Sequence, residues 1–193
     1  MNTDHTETNV QALIVIDVQE GFGDAYWGPS ANPDCENNIA QLIDHWHAAN
    51  RGPVIVVRHD SANPASPLAP GSPGNRIKPL VWDKPHDLLV TKTVNSAFLG
   101  APLLDGWLVE NGISTIVCCG IQTNMCVETT ARMGGNLGFQ VVVPIDATRT
   151  FDLTNQSTGD KVTAAELMRT TAFNLQGGGF ATITSTNRLL EED

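Results

Sequence analysis

The chain has 193 residues, with 21 acidic and 11 basic side chains and a formal net charge of −10. An acidic chain with scattered Lys and Arg repels phosphate backbones, which sets nucleic acid aside as a partner. No apolar run approaches the ~20 residues that a membrane span needs, and four cysteines are too few for a disulfide-stapled scaffold of this length.

The polar stretch Met1 to Asn9 has no apolar leader core, so a frayed tail over residues 1–10 and a cytoplasmic location are expected. Residues 12–16 are apolar without alternation and end at Asp17, the pattern of a strand covered on both faces. Residues 21–33 form a loop carrying Phe22, Tyr26 and Trp27. Asp34 caps a helix predicted over 35–50, with Ile39, Leu42, Ile43 and Trp46 on one face. A second strand over 53–57 leads into Arg58, His59 and Asp60. Residues 61–87 are rich in Pro, Gly, Ser and Asn and read as a lid or an irregular loop. Ile77 and Trp82 argue for ordered packing within it.

A third strand over 88–90 ends at Thr91 and Lys92. A helix over 102–111 is expected next, with Pro in its first turn and Gly112 past its end. Residues 113–119 are a fourth strand, in which Cys118 and Cys119 point to opposite faces. The chain breaks at Gly120 and restarts as a helix at Cys126, running to about Leu137; Gly134 and Gly135 imply close packing. A fifth strand over 140–144 ends near Asp146, a helix covers 161–175, and a sixth strand covers 180–184.

Six alternations of strand and helix predict an α/β fold, one three-layer α/β/α domain over 1–193 around a six-stranded parallel sheet. In such sheets ligands bind beyond the carboxyl ends of the strands. Asp17, His59, Asp60, Lys92, Cys126 and Asp146 stand there. The alternative for each is a residue that simply ends a strand and meets water. Cys126 has the strongest chemical case, because a helix start favours thiolate over thiol and presents free amides to an oxyanion. Lys92 would lower the thiol pKa further. Asp17 is either its proton acceptor or the partner of a plain salt bridge with Lys92.

Three segments in order carry a family resemblance. Asp17-Val18-Gln19 with Phe22, Lys92 with Asn95-Ser96-Ala97-Phe98, and Gly120 through Glu128 resemble the isochorismatase-like cysteine hydrolases. The resemblance implies a catalytic triad of Asp17, Lys92 and Cys126. It implies a cis peptide between Ile121 and Gln122, and an oxyanion hole built from the backbone N–H groups of Gln122 and Cys126. The implied reaction is hydrolysis of an amide, lactam or ureide-type C–N bond of a small molecule through a Cys126 thioester, without a cofactor. The alternatives are an isochorismatase-type vinyl ether hydrolysis with Asp17 as acid, and a non-catalytic protein on the same fold. The Asp-x-His metal pattern of nicotinamidases has Val57 in place of its aspartate here, so no metal is expected. His59 is then a pocket wall, a substrate partner or a surface histidine. Phe22, Tyr26, Trp27, Trp82 and Phe151 are expected around the substrate pocket. Asp60 and Asp146 are expected to brace loops. The resemblance also implies a homodimer or homotetramer.

Overall fold

The structure is a computed structural model and describes residues 10–192. The tail expected over 1–10 lies, except for Val10, outside the described residues. Six parallel strands form the sheet: β1 (Gln11–Ile16), β2 (Val54–His59), β3 (Leu88–Lys92), β4 (Thr115–Ile121), β5 (Gln140–Pro144) and, last in sequence, β9 (Thr182–Thr184). Their order is β3-β2-β1-β4-β5-β9. A two-residue strand, β6 (Thr148–Arg149), pairs with the end of β4. Strands β7 (Leu153–Thr154) and β8 (Lys161–Val162) make a separate small hairpin.

Burial explains the unbroken apolar runs. Residues 12–16 of β1 are wholly inaccessible because both faces of the central strand are covered. On one face Leu13, Val15, Val54, Val56, Val117 and Cys119 pack under α1 (Cys35–Ala48), whose Ile39, Leu42, Ile43 and Trp46 form its buried stripe. On the other face Ile14, Ile16, Ile55, Val57, Val90 and Cys118 meet α3 (Leu104–Glu110), α4 (Glu128–Asn136) and α5 (Ala164–Gly177). Helix α2 (Pro79–Trp82) and α6 (Thr186–Leu190) join the α1 side through Val81 and Leu189. The three layers and the opposed Cys118 and Cys119 thus follow the sequence reading.

Several boundaries differ. The helix expected from Pro102 starts at Leu104, because Ala101 exchanges two backbone hydrogen bonds with Thr91 and keeps the chain extended to that point. The helix expected from Lys161 starts at Ala164: Lys161 and Val162 are spent in the hairpin, and Thr163 and Glu166 form a reciprocal capping box. The last strand starts at Thr182 rather than at Phe180, since the amides of Phe180 and Ala181 close the end of α5 on Leu175 O. Strand β4 starts late, at Thr115, and runs through Gly120 to Ile121. Gly120 can do so because its φ is +126° and a Cβ there would lie 2.0 Å from Ile16 O.

Residues 61–87 are an ordered strap. Leu68, Ile77 and Val81 are buried in the α1-side core, and the buried Asn75 side chain donates to Leu68 O, His59 O and the Asp60 carboxylate. Among the described residues no helix is long and apolar enough to cross a membrane.

Candidate active site

Strand alternation alone would send Asp17 to the α1 side, since Ile16 before it faces the other core. The backbone prevents this. Asp17 has φ +54°, a left-handed conformation that Asp tolerates better than most residues. Its carboxylate therefore meets groups on the face that carries Val57 and Val90.

Lys92 ends β3 on that face and pairs in register with His59 at the end of β2. Its Nζ lies 2.6 Å from Asp17 Oδ2, 3.3 Å from Cys126 Sγ and 3.3 Å from His59 Nδ1. The Asp17 and Lys92 side chains are fully buried. Asp17 Oδ1 is buried without a hydrogen-bond partner among the described residues. Cys126 is 8% exposed, against 0% for Asp17 and 2% for Lys92, while His59 is half-buried. The sulfur also lies 3.8 Å from Asn95 Oδ1.

The turn that presents Cys126 is wider than an α-helical start. Residues Thr123–Val127 form a π-helical turn that passes into α4 at Glu128. The Gln122 carbonyl accepts from both Met125 and Val127, and the Ile121–Gln122 peptide is cis. Thr123 holds the turn to β6 by donating to Thr148 Oγ1 at 2.9 Å.

Burial pushes the Asp17 carboxyl above its ordinary range, against the pull of the Lys92 ammonium. Burial and the neighbouring Asp17 charge push the Cys126 thiol up to about 12, again against Lys92. The expectation of a lowered thiol pKa is therefore corrected: desolvation outweighs the ammonium while the site is at rest. The arrangement is a neutral thiol beside a strengthened base. Asp17, His59 and Cys126 place one donor atom each within 4.8 Å of one another, a set that elsewhere would suit a metal ion. Here those atoms surround the Lys92 ammonium, which takes up the same lone pairs.

The other expected pocket residues do not join this cluster. Phe22 and Phe151 stack at 5.9 Å and are nearly buried, with Trp27 at 4.9 Å and 5.7 Å from them. The three pack with the α1-side core, a satellite cluster under the loops. Tyr26 is largely exposed against the edge of Trp27. Trp82 lines a separate surface cavity of about 490 Å³ with Glu20, Arg58, Arg76 and Ile77, and its ring lies 4.9 Å from His86. Asp60 and Asp146 do brace loops: Asp60 holds Arg58 and Asn75, and Asp146 holds Thr186.

Gln19 has a role that its place in the sequence did not specify. Its side chain donates to His59 O and Asn75 O and accepts from His59 N–H, tying β1, β2 and the strap together. Its signal was its place two residues after Asp17.

The isochorismatase domain family matches residues 11–172. The chain is 36% identical to the isochorismatase family protein YrdC of Bacillus subtilis, over 94% of this chain and 95% of that protein. It is 33% identical to a streptothricin hydrolase of Streptomyces noursei, over 75% of this chain but 56% of the relative's length. Among solved structures, a hydrolase described as of the isochorismatase family from Chromobacterium violaceum superposes with a TM-score of 0.85 at 35% identity, covering 96% of this chain and 93% of the other.

Proposed function

The chain belongs to the isochorismatase family, and from that premise we propose that it hydrolyses a C–N bond of a small molecule, with Cys126 as nucleophile. One observation carries the reading: a nearly buried thiol shares a buried lysine ammonium with a buried carboxylate, Lys92 Nζ lying 3.3 Å from Cys126 Sγ and 2.6 Å from Asp17 Oδ2. The streptothricin hydrolase relative supports hydrolytic chemistry of this general kind.

Asp17 takes the thiol proton as Cys126 Sγ attacks the carbonyl carbon. Its burial makes it a stronger base than an exposed carboxylate. Lys92 offsets the charge that develops on sulfur. The carbonyl electron pair moves to oxygen, where the N–H groups of Gln122 and Cys126 receive it. Collapse of the tetrahedral intermediate breaks the C–N bond, and Asp17 returns its proton to the departing nitrogen. Water then gives a proton to Asp17 and its hydroxide to the thioester carbon; the C–S bond breaks, the acid leaves, and Asp17 returns the proton to the sulfur, restoring the thiol.

The test uses Cys126→Ala and Cys126→Ser against a panel of amides, lactams, ureides and isochorismate. Both variants should lose turnover of the C–N substrate while melting like the wild type. Full activity in Cys126→Ala overturns the nucleophile. If the surviving activity is on isochorismate, the buried, raised Asp17 is the acid of an ether cleavage instead.

A further inference from the structure

Lys92 and Asp17 do not stand on neighbouring strands. The order β3-β2-β1 puts β2 between them, so the lysine crosses roughly two strand spacings of ~4.8 Å each to reach the carboxylate. A four-carbon stem has many rotamers, and a buried lysine held by one carboxylate is not thereby aimed at a sulfur. An ammonium has three protons, and each needs an acceptor when buried. Asp17 Oδ2 takes one and Cys126 Sγ another. The remaining acceptor is His59 Nδ1 at 3.3 Å, on the strand that Lys92 crosses.

We propose that His59 is a positioning residue of the site: a neutral imidazole whose Nδ1 takes the third proton of the Lys92 ammonium and so holds it against Cys126. This rests on the reading of Cys126 as nucleophile. The histidine itself is fixed from behind. Its N–H donates to Gln19 Oε1, and its carbonyl accepts from Gln19 and Asn75. Backbone anchoring of this kind survives a change of side chain. Lys92 can only donate, so the imidazole carries its proton on Nε2.

The device sets an acid limit on reactivity. His59 is faced by Lys92 from β3, Asp17 from the end of β1 and Cys126 from the turn after β4, with Asp60 next to it just past the end of β2. Burial and the Lys92 charge hold its pKa below the usual histidine value, with Asp17 and Asp60 pulling upward. As pH falls through that depressed value, Nδ1 gains a proton. Two cations then stand at 3.3 Å with no acceptor between them, the ammonium is displaced and the sulfur loses its partner.

The experiment measures the rate at which iodoacetamide alkylates Cys126, by mass spectrometry of the intact full-length chain from about pH 5 to about pH 8. It needs no knowledge of the substrate. His59→Asn keeps a neutral acceptor near the Nδ1 position and cannot titrate, whereas His59→Leu has none. His59→Asn should keep the wild-type rate at the upper pH within about threefold and lose the decline on acidification that His59 imposes. His59→Leu should be slower by about ten- to a hundredfold, the effect of losing a hydrogen bond to a charged group. A His59→Leu rate and pH profile equal to the wild type overturn the proposal. So does a His59→Asn protein as slow as His59→Leu. Failure of the wild-type protein to form any Cys126 adduct overturns the nucleophile reading instead, and the role of His59 with it.

Discussion

At the scale of single residues, the site depends on two backbone conformations as much as on three side chains. Gly120 lets β4 pass close to Ile16, and the positive φ of Asp17 turns its carboxylate from one core to the other. The second fact decides which substitution is informative at Asp17. Alanine at φ +54° would combine backbone strain with loss of the carboxylate. Asparagine tolerates that conformation and keeps the shape, removing only the charge and the base. Asp17→Asn should therefore stay folded, with far-ultraviolet circular dichroism matching the wild type. Turnover should fall about a hundred- to ten-thousandfold, the usual share of a positioned acid–base group. Retention of more than a tenth of the wild-type rate would assign Asp17 to an ion pair alone.

At the scale of elements, α4 shows how local preference yields to packing. Gly134 and Gly135 each cost a helix about 1 kcal/mol relative to Ala, so an isolated helix would gain from replacing either. In the fold, a Cβ on Gly135 would sit 2.7 Å from Phe180 O, a backbone atom that cannot move without the segment ahead of β9. A Cβ on Gly134 would meet the tip of Ile116 at 2.9 Å, which can rotate. Gly135→Ala should lower the midpoint of chemical unfolding, and Gly134→Ala should lower it less; an equal or higher midpoint for Gly135→Ala contradicts the close approach. The same contrast explains what was legible in the sequence. Unbroken apolar runs and glycine breaks marked the first five strands, whereas the last, Thr182–Thr184, alternates and was placed less well; the polar residues at or after the strand ends marked Asp17, Lys92 and Cys126. What periodicity cannot carry is side-chain direction at a strand end. The reversal at Asp17, the reach of Lys92 over β2 to His59, and the turn of Phe22 and Phe151 into the α1-side core all depend on it. The capping box at Thr163 and Glu166 was present in the sequence as T-x-x-E, and the hairpin just before it obscured the boundary.

At the scale of the molecule, the sheet divides the interior into two cores that do different work. The core under α1 contains Ile39, Trp46 and the aromatic loop cluster. The core on the other face contains Cys126 and the walls around it. The strap of residues 61–87 is buried in the first but is pinned, through Asn75, to the His59 carbonyl behind the second. Global stability and thiol reactivity should therefore separate. Ile39→Ala removes a fully buried side chain from the α1 side and should cost about 2–5 kcal/mol of unfolding free energy. In buffer without denaturant, its Cys126 alkylation rate should match the wild type, because nothing on the face that carries Cys126 has moved. Asn75→Ala removes donors to Leu68 O, His59 O and the Asp60 carboxylate, each costing about 1–3 kcal/mol where the acceptor stays buried and unpaired. That loss falls on the anchor of the strap, so Asn75→Ala should speed proteolytic nicking within 61–87 and slow Cys126 alkylation together. Ile39→Ala should do neither at equal fraction folded. A thiol that slows in proportion to global stability in both variants would mean that the two faces act as one unit.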